Sequence, residues 1–152
     1  MNTDSEDSLR QVCAILELLG THHRVIWPVH PRTFKRLREF HIQVKNVTLT
    51  EPVGFLDMIN LEKHAALIMT DSGGVQKEAY FHKVPCVTLK AGTEWNELVE
   101  HGWNTILPPE GDPREIAEKI RSRIGQRGED VALYGAGDAA RQIAEILGHQ
   151  WQ

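Results

Sequence analysis

The chain has 152 residues, enough for one domain, and its 41% hydrophobic and 25% charged residues are the balance of an ordinary soluble globular protein. A net charge of -4 and a pI of about 6.0 exclude the broadly basic face of a dedicated nucleic-acid binder, although Arg32, Lys35, Arg36 and Arg38 form a local cluster able to meet a small anion. No apolar run approaches the roughly 20 residues of a membrane span, and the polar, acidic N-terminus carries no signal-peptide pattern, so a cytoplasmic protein without a membrane partner is the expectation.

Residues 2–8 are polar and rich in helix caps. Leu9, Val12, Cys13, Leu16 and Leu19 then recur at helical spacing, and Gly20 supplies a stop. Residues 24–29 predict a strand, and 31–40 a helix with Pro31 in its first turn. A second strand is expected at 47–49, a short helix at 55–62 and a continuous apolar strand at 65–69. A helix over 74–82 and another apolar strand over 85–89 follow. Residues 93–101 read as a helix closed by Gly102, and 105–107 as a last short strand. Asp112-Pro113-Arg114-Glu115 combines a capping Asp, Pro at the first helical position and Glu three residues after the cap. Ile116, Ile120 and Ile124 mark that helix's buried stripe. Residues 139–147 form the terminal helix, and its Ile143 and Leu147 are expected to pack on this domain, the alternative being that they seek a missing half. Cys13 and Cys86 sit in apolar runs with no Cys-x-x-Cys pair, so both read as reduced core residues.

Strands alternate with helices throughout, and the strands are continuous apolar runs, which implies a sheet covered on both faces. The expected fold is a single α/β domain over residues 1–152, a Rossmann-like doubly wound parallel sheet.

One motif carries chemistry. Ser72-Gly73-Gly74 follows the strand predicted at 65–69 and opens the next helix. Glycines let a ligand approach the backbone, the first amides of a helix have no internal partner, and the helix dipole favours an anion there. Glu78 lies four residues after Gly74, on the same helix face. A carboxylate there can accept hydrogen bonds from a vicinal diol, such as ribose hydroxyls, beside a diphosphate. A tight turn and a solvated glutamate are the alternatives; at this spacing the combination favours a nucleotide site.

The run Thr70-Asp71-Ser72-Gly73-Gly74-Val75-Gln76-Lys77-Glu78-Ala79 resembles the signature of the non-hydrolysing UDP-N-acetylglucosamine 2-epimerases. Four further stretches resemble that family in the same order: Pro28-Val29-His30-Pro31-Arg32-Thr33, Pro52-Val53-Gly54-Phe55-Leu56-Asp57, Val84-Pro85-Cys86-Val87-Thr88-Leu89 and Tyr134-Gly135-Ala136-Gly137-Asp138-Ala139-Ala140. The resemblance implies the C-terminal half of a glycosyltransferase-B-type fold, with UDP or a UDP-sugar as its ligand. Ser72, Gly73 and Gly74 would then hold the diphosphate and Glu78 the ribose. The stretch containing Phe55 and Met58 would line the uracil. His30 matches a family histidine facing the diphosphate and sugar, its alternative being a helix cap; Arg32 would support the phosphates or lie on the surface. The implied reaction eliminates UDP in the anti sense, passes through a 2-acetamidoglucal and re-adds UDP with C2 inverted. It implies no metal and no cofactor.

Two departures qualify the resemblance. Thr93-Glu94-Trp95-Asn96-Glu97 stands where members often carry Thr-Glu-Arg-Pro-Glu, and tryptophan cannot replace a guanidinium charge. This version resembles a branch acting on other UDP-sugars, including diacetamido-uronates. The family's N-terminal half, which provides the acidic residues that move the C2 proton, is not among these residues, nor is the strand central to the doubly wound order, between those at 24–29 and 65–69. Two buried edges would remain, and the gap is expected to be filled by direct pairing of those strands, by a strand from a second copy, or by a separate N-terminal polypeptide. The competing functions are a UDP-sugar-binding module without catalysis and the nucleotide half of a related glycosyltransferase.

Overall fold

The computed structural model describes residues 2–149. Helix α1 (Glu6–Gly20) starts at Ser5, whose side chain accepts the Ser8 amide at 3.2 Å, while Glu6 and Asp7 place negative charge at the positive end of the dipole. Its stripe of Leu9, Val12, Cys13, Ile15, Leu16 and Leu19 is buried, as the spacing predicts. Gly20 does more than stop the helix. A side chain there would collide with the Asn46 carbonyl, so glycine is what lets the backbone before the second strand pass close by.

The remaining elements are β1 (Val25–Pro28), α2 (Pro31–Glu39), β2 (Val47–Thr50), α3 (Phe55–Lys63), β3 (Ile68–Thr70), α4 (Gly73–Phe81), β4 (Cys86–Thr88), α5 (Asn96–Glu100), β5 (Asn104–Ile106), α6 (Pro113–Arg123) and α7 (Ala139–His149). All strand pairs are parallel. Val25 stands opposite Val47; Ile68 stands opposite Cys86, which stands opposite Asn104. The helices cover both faces. On one, Ile15 and Leu19 of α1 and Ile116, Ala117 and Ile120 of α6 pack on Met69, Val87 and Leu89. On the other, Ala79 of α4 packs with Ile68 and Cys86. Odd and even positions therefore point to opposite helices, the arrangement of a doubly wound α/β fold. Cys13 and Cys86 are buried and unpaired, and burial pushes the two thiols up to about 11 and about 12 respectively.

Several boundaries differ from the sequence reading. The third strand begins at Ile68 rather than 65, because the Ala65 amide still bonds to the Glu62 carbonyl at the helix exit. Helix α5 is confined to Asn96–Glu100, because the Thr93 hydroxyl accepts the Trp95 amide at 3.1 Å and holds 93–95 in a turn. Ile124 leaves the α6 stripe: it is the C-cap, half-buried and extended. The expectation that Ile143 and Leu147 pack on this domain is also corrected. With Ile146 they are 57%, 51% and 59% exposed, one apolar stripe along α7.

The largest correction concerns the gap. The sheet is in two parts, β1-β2 and β3-β4-β5. The direct pairing of β1 with β3 does not form, and no strand among the described residues fills the place between them. Helix α1 spans the divide instead: Val12 and Leu16 pack with Val25, Val47 and Met69, while Ile15 and Leu19 pack with Val87. Both outer edges of each sheet, those of β1 and β3 included, are without a strand partner among the described residues.

Candidate functional site

Strand β3 ends at Thr70, whose hydroxyl accepts the Ser72 amide at 3.0 Å and sets the turn into α4. Ser72 is the N-cap, with extended backbone at φ -85 and ψ 128, but its side chain makes no capping bond. Its hydroxyl is therefore not spent on its own helix. Among the described residues no protein acceptor takes the amides of Gly73, Gly74 or Val75. The two glycines serve different ends. A Cβ on Gly73 would stand 3.3 Å from Trp95 Nε1 and 3.5 Å from Glu94 Oε2, so glycine lets Trp95 close in. A Cβ on Gly74 would meet nothing nearer than Ser72 Oγ at 3.8 Å, so that side of the turn is open. Glu78, four residues on, is half-buried. Glu94 brings a carboxylate near this turn, and Lys90 pairs with it at 3.0 Å; the hydrogen bond from Lys90 is the main reason Glu94 lies below its ordinary range.

A buried polar network braces the turn from beneath. Gln76, 1% exposed, donates through Nε2 to the Ser72 carbonyl at 3.3 Å and accepts through Oε1 from Asn104 Nδ2 at 3.0 Å and from the Thr93 hydroxyl. Asn104 in turn accepts from the Thr88 hydroxyl at 2.9 Å. Apart from the Gln76–Ser72 bond, every link joins residues distant in sequence, so those links have no local signature. Gln76→Leu is expected to lower stability by about 1–3 kcal/mol, because Asn104 and Thr93 lose their acceptor; denaturant unfolding measures it, and an unchanged midpoint would show the network to be unimportant.

Trp95, read from sequence only as a departure from a charged pattern, closes the top of the turn. Its indole N–H donates to the Gly73 carbonyl at 2.9 Å. The Lys77 ammonium lies 3.7 Å from the Trp95 ring centroid and 4.3 Å from that of Tyr134, so a cation rests on the indole that stands where an arginine is usual. Tyr134 donates to Glu97 at 2.7 Å. Burial, and then that carboxylate, push the Tyr134 hydroxyl up. The glycines of the Tyr134–Asp138 motif work as turn residues, Gly135 and Gly137 having φ of 76 and 79. The Asp138 carbonyl then accepts the Gln142 amide in α7.

The other predicted residues occupy two further helix starts. His30 caps α2, its Nδ1 accepting the Arg32 amide at 3.2 Å; this places the proton on Nε2, which the cap leaves free at an exposed position. Arg32 forms an ion pair with Asp4, and so is engaged within the chain. Phe55 is 72% exposed at the start of α3, and Met58 is half-buried one turn later. Ser72, Gly73, Gly74 and Glu78 thus share one helix, while His30 with Arg32, and Phe55 with Met58, stand on two others. No hydrogen bond or ion pair joins the three groups among the described residues. A surface depression of 580 Å³ lined by Pro31, Phe34, Lys35, Arg38, Glu39, Glu51 and Pro52 includes none of the eight.

Among the described residues no group of three or more His, Cys, Asp or Glu is placed to hold a metal ion, and no helix is long and apolar enough to cross a membrane. A family model described as UDP-N-acetylglucosamine 2-epimerase matches residues 1–148. A protein of Methanococcus maripaludis named a UDP-N-acetylglucosamine 2-epimerase homolog is 42% identical over 152 residues, covering 96% of this chain and 41% of its own length. A UDP-2,3-diacetamido-2,3-dideoxy-D-glucuronate 2-epimerase of Pseudomonas aeruginosa is 40% identical over 148 residues, with the same coverage of 96% and 41%. The crystal structure of UDP-GlcNAc 2-epimerase of Methanocaldococcus jannaschii in complex with UDP-GlcNAc and UDP superposes with a TM-score of 0.83 at 35% identity, over 97% of this chain and 42% of that one. The chain spans about two fifths of the length of these relatives.

Proposed function

The chain belongs to the UDP-N-acetylglucosamine 2-epimerase family, and we propose that within it these residues supply the UDP-binding half of an enzyme that inverts C2 of a UDP-HexNAc. The observation that carries the reading is the turn after β3: three amides with no protein acceptor among the described residues, a Ser72 hydroxyl that makes no capping bond, an open side at Gly74 and Glu78 one turn along. Negative charge develops on UDP as the glycosidic C–O bond breaks, and fixed amides at a helix N-terminus stabilise such charge without reorganising. They serve the elimination and the re-addition alike. Glu78 accepts the ribose hydroxyls, and exposed Phe55 offers an apolar face to the uracil. His30 presents its Nε2–H to the diphosphate or sugar, so its capping bond and its site role use different nitrogens.

Proton transfer at C2 belongs to the half of the family fold that these residues do not include, so turnover is proposed for the assembly and not for this chain alone. The sugar is open between at least two kinds, since the relatives include both an N-acetylglucosamine homolog and a diacetamido-glucuronate enzyme. Calorimetric titration of the chain with UDP is expected to give saturable one-to-one binding, and titration with each UDP-sugar then ranks the two. An absence of heat with UDP would remove the nucleotide reading.

A further inference from the structure

Helix α3 buries an unexpected residue. Phe55 and Leu56 in its first turn are 72% and 78% exposed, whereas Glu62 in its last turn is 3% exposed. Neither carboxyl oxygen of Glu62 meets a hydrogen-bond donor among the described residues. An ionised carboxylate so placed loses its hydration and has no hydrogen bond in return. Protonation removes that penalty and converts Glu62 into a donor in need of an acceptor. Helix α3 packs on α4, which carries Glu78, and the Glu78 carboxylate raises Glu62 through its charge and a hydrogen bond. The two acidic side chains meet with no donor between them unless one carries a proton. His82, the C-cap of α4, is the other ionisable group facing Glu62, but its Nε2 is 3.8 Å from Glu62 Oε2, beyond hydrogen-bond reach. On its own helix, Lys63 is exposed, and the adjoining His64 is exposed with its ring paired to the Asn60 carbonyl at 2.8 Å.

We propose that Glu62 is a positioning residue for the nucleotide site: it carries a proton and donates it in a hydrogen bond to Glu78, which fixes Glu78 as an acceptor for the ribose hydroxyls. The inference rests on the reading that Glu78 receives the ribose. Glu78 is only half-buried on α4, where a glutamate otherwise samples many rotamers. A neutral donor behind it holds one carboxyl oxygen and leaves the other for ligand.

Burial, then the charge of Glu78, then the hydrogen bond between them raise Glu62 from 4.5 to about 7, so the device operates in the neutral range. The folded chain keeps a proton that the unfolded chain has already released. Stability from this group is therefore greatest at acid pH, falls as pH rises above the ordinary value of 4.5, and levels off above about 7.

The test uses the full chain, with Glu62→Gln and Glu62→Leu. Carbon NMR of the glutamate carboxyls is expected to show one group titrating near neutrality that is missing from Glu62→Gln. UDP affinity of the parent is expected to fall about tenfold from about pH 6 to about pH 9, as the donor is lost. Glu62→Gln donates through its amide without titrating, so it should match the parent at the lower pH and keep that affinity at the higher. Glu62→Leu should bind about tenfold more weakly at both, because it has no donor. The nucleotide phosphate titrates alike in every variant and cancels in the comparison. A Glu62→Gln chain with the parent's pH profile overturns the inference and leaves UDP binding intact. Failure of every chain, parent included, to bind UDP overturns the nucleotide reading instead. The carboxyl titration then decides on its own whether the Glu62–Glu78 pair exists.

Discussion

A Ser72→Ala/Glu78→Ala double variant is expected to bind UDP on the order of 10- to 100-fold more weakly than the parent chain, from about 1–3 kcal/mol of lost hydrogen bonding to charged or strongly polar groups. The turn gives this variant a clean meaning. The Ser72 hydroxyl makes no capping bond, so its removal leaves α4 without an orphaned partner. The Glu78 side chain is half-buried, and its removal takes from Glu62 both a neighbouring like charge and the acceptor of its proton, changes of opposite sign for stability. Thermal melts of the double variant should therefore lie close to the parent while affinity falls. Residual binding is also expected, because the amides of Gly73, Gly74 and Val75 belong to the backbone and survive both substitutions. Unchanged affinity would take both side chains out of the site. A large fall in stability would mean that the turn, not the ligand, uses them.

The same turn shows what one-dimensional reading can and cannot reach. The parallel α/β layering, the start of α6 at Asp112 and the Gly-rich turn before α4 all rest on spacings of a few residues, and these were legible. The Gln76–Asn104–Thr88 bonds span sequence separations of 28 and 16, and Trp95 reaches Gly73 across 22. Nothing local distinguishes those residues from solvated neighbours. Glu62 is the sharpest case: helical spacing would turn Leu56 inward, whereas the fold turns Glu62 inward and leaves Leu56 in the open. His30 shows a subtler limit. Cap and ligand contact are alternatives for a residue but not for an imidazole with two nitrogens. The split sheet follows from the same physics as the expected continuous one. Two strands one place apart in a doubly wound order cannot close up when α1 is seated across both.

Joining the chain with a polypeptide that carries the family's N-terminal half is expected to change C2 inversion from undetectable to measurable. That is the largest effect the structure leads us to anticipate. The free edges of β1 and β3 offer backbone donors and acceptors on either side of one place in the order, and each group left unpaired in a dry setting costs roughly 1–3 kcal/mol. A parallel strand seated there would finish at the carboxyl ends of its neighbours. Asn2 already lies at that end, where its side-chain amide donates to the Leu89 carbonyl just past β4, and Asp4 pairs with Arg32 at the start of α2. The exposed stripe of Ile143, Ile146 and Leu147, together with Leu56, supplies apolar surface to bury against a second domain. A partner binding only the folded chain raises its stability by about 2.7 kcal/mol at a hundredfold excess over Kd. The melting temperature and the NMR signature of the inverted sugar should therefore rise together on mixing. A higher melt without turnover would favour a binding module over an enzyme half. Sedimentation as a homodimer, with the melt unmoved by the N-terminal half, would assign the place between the sheets to a second copy of this chain.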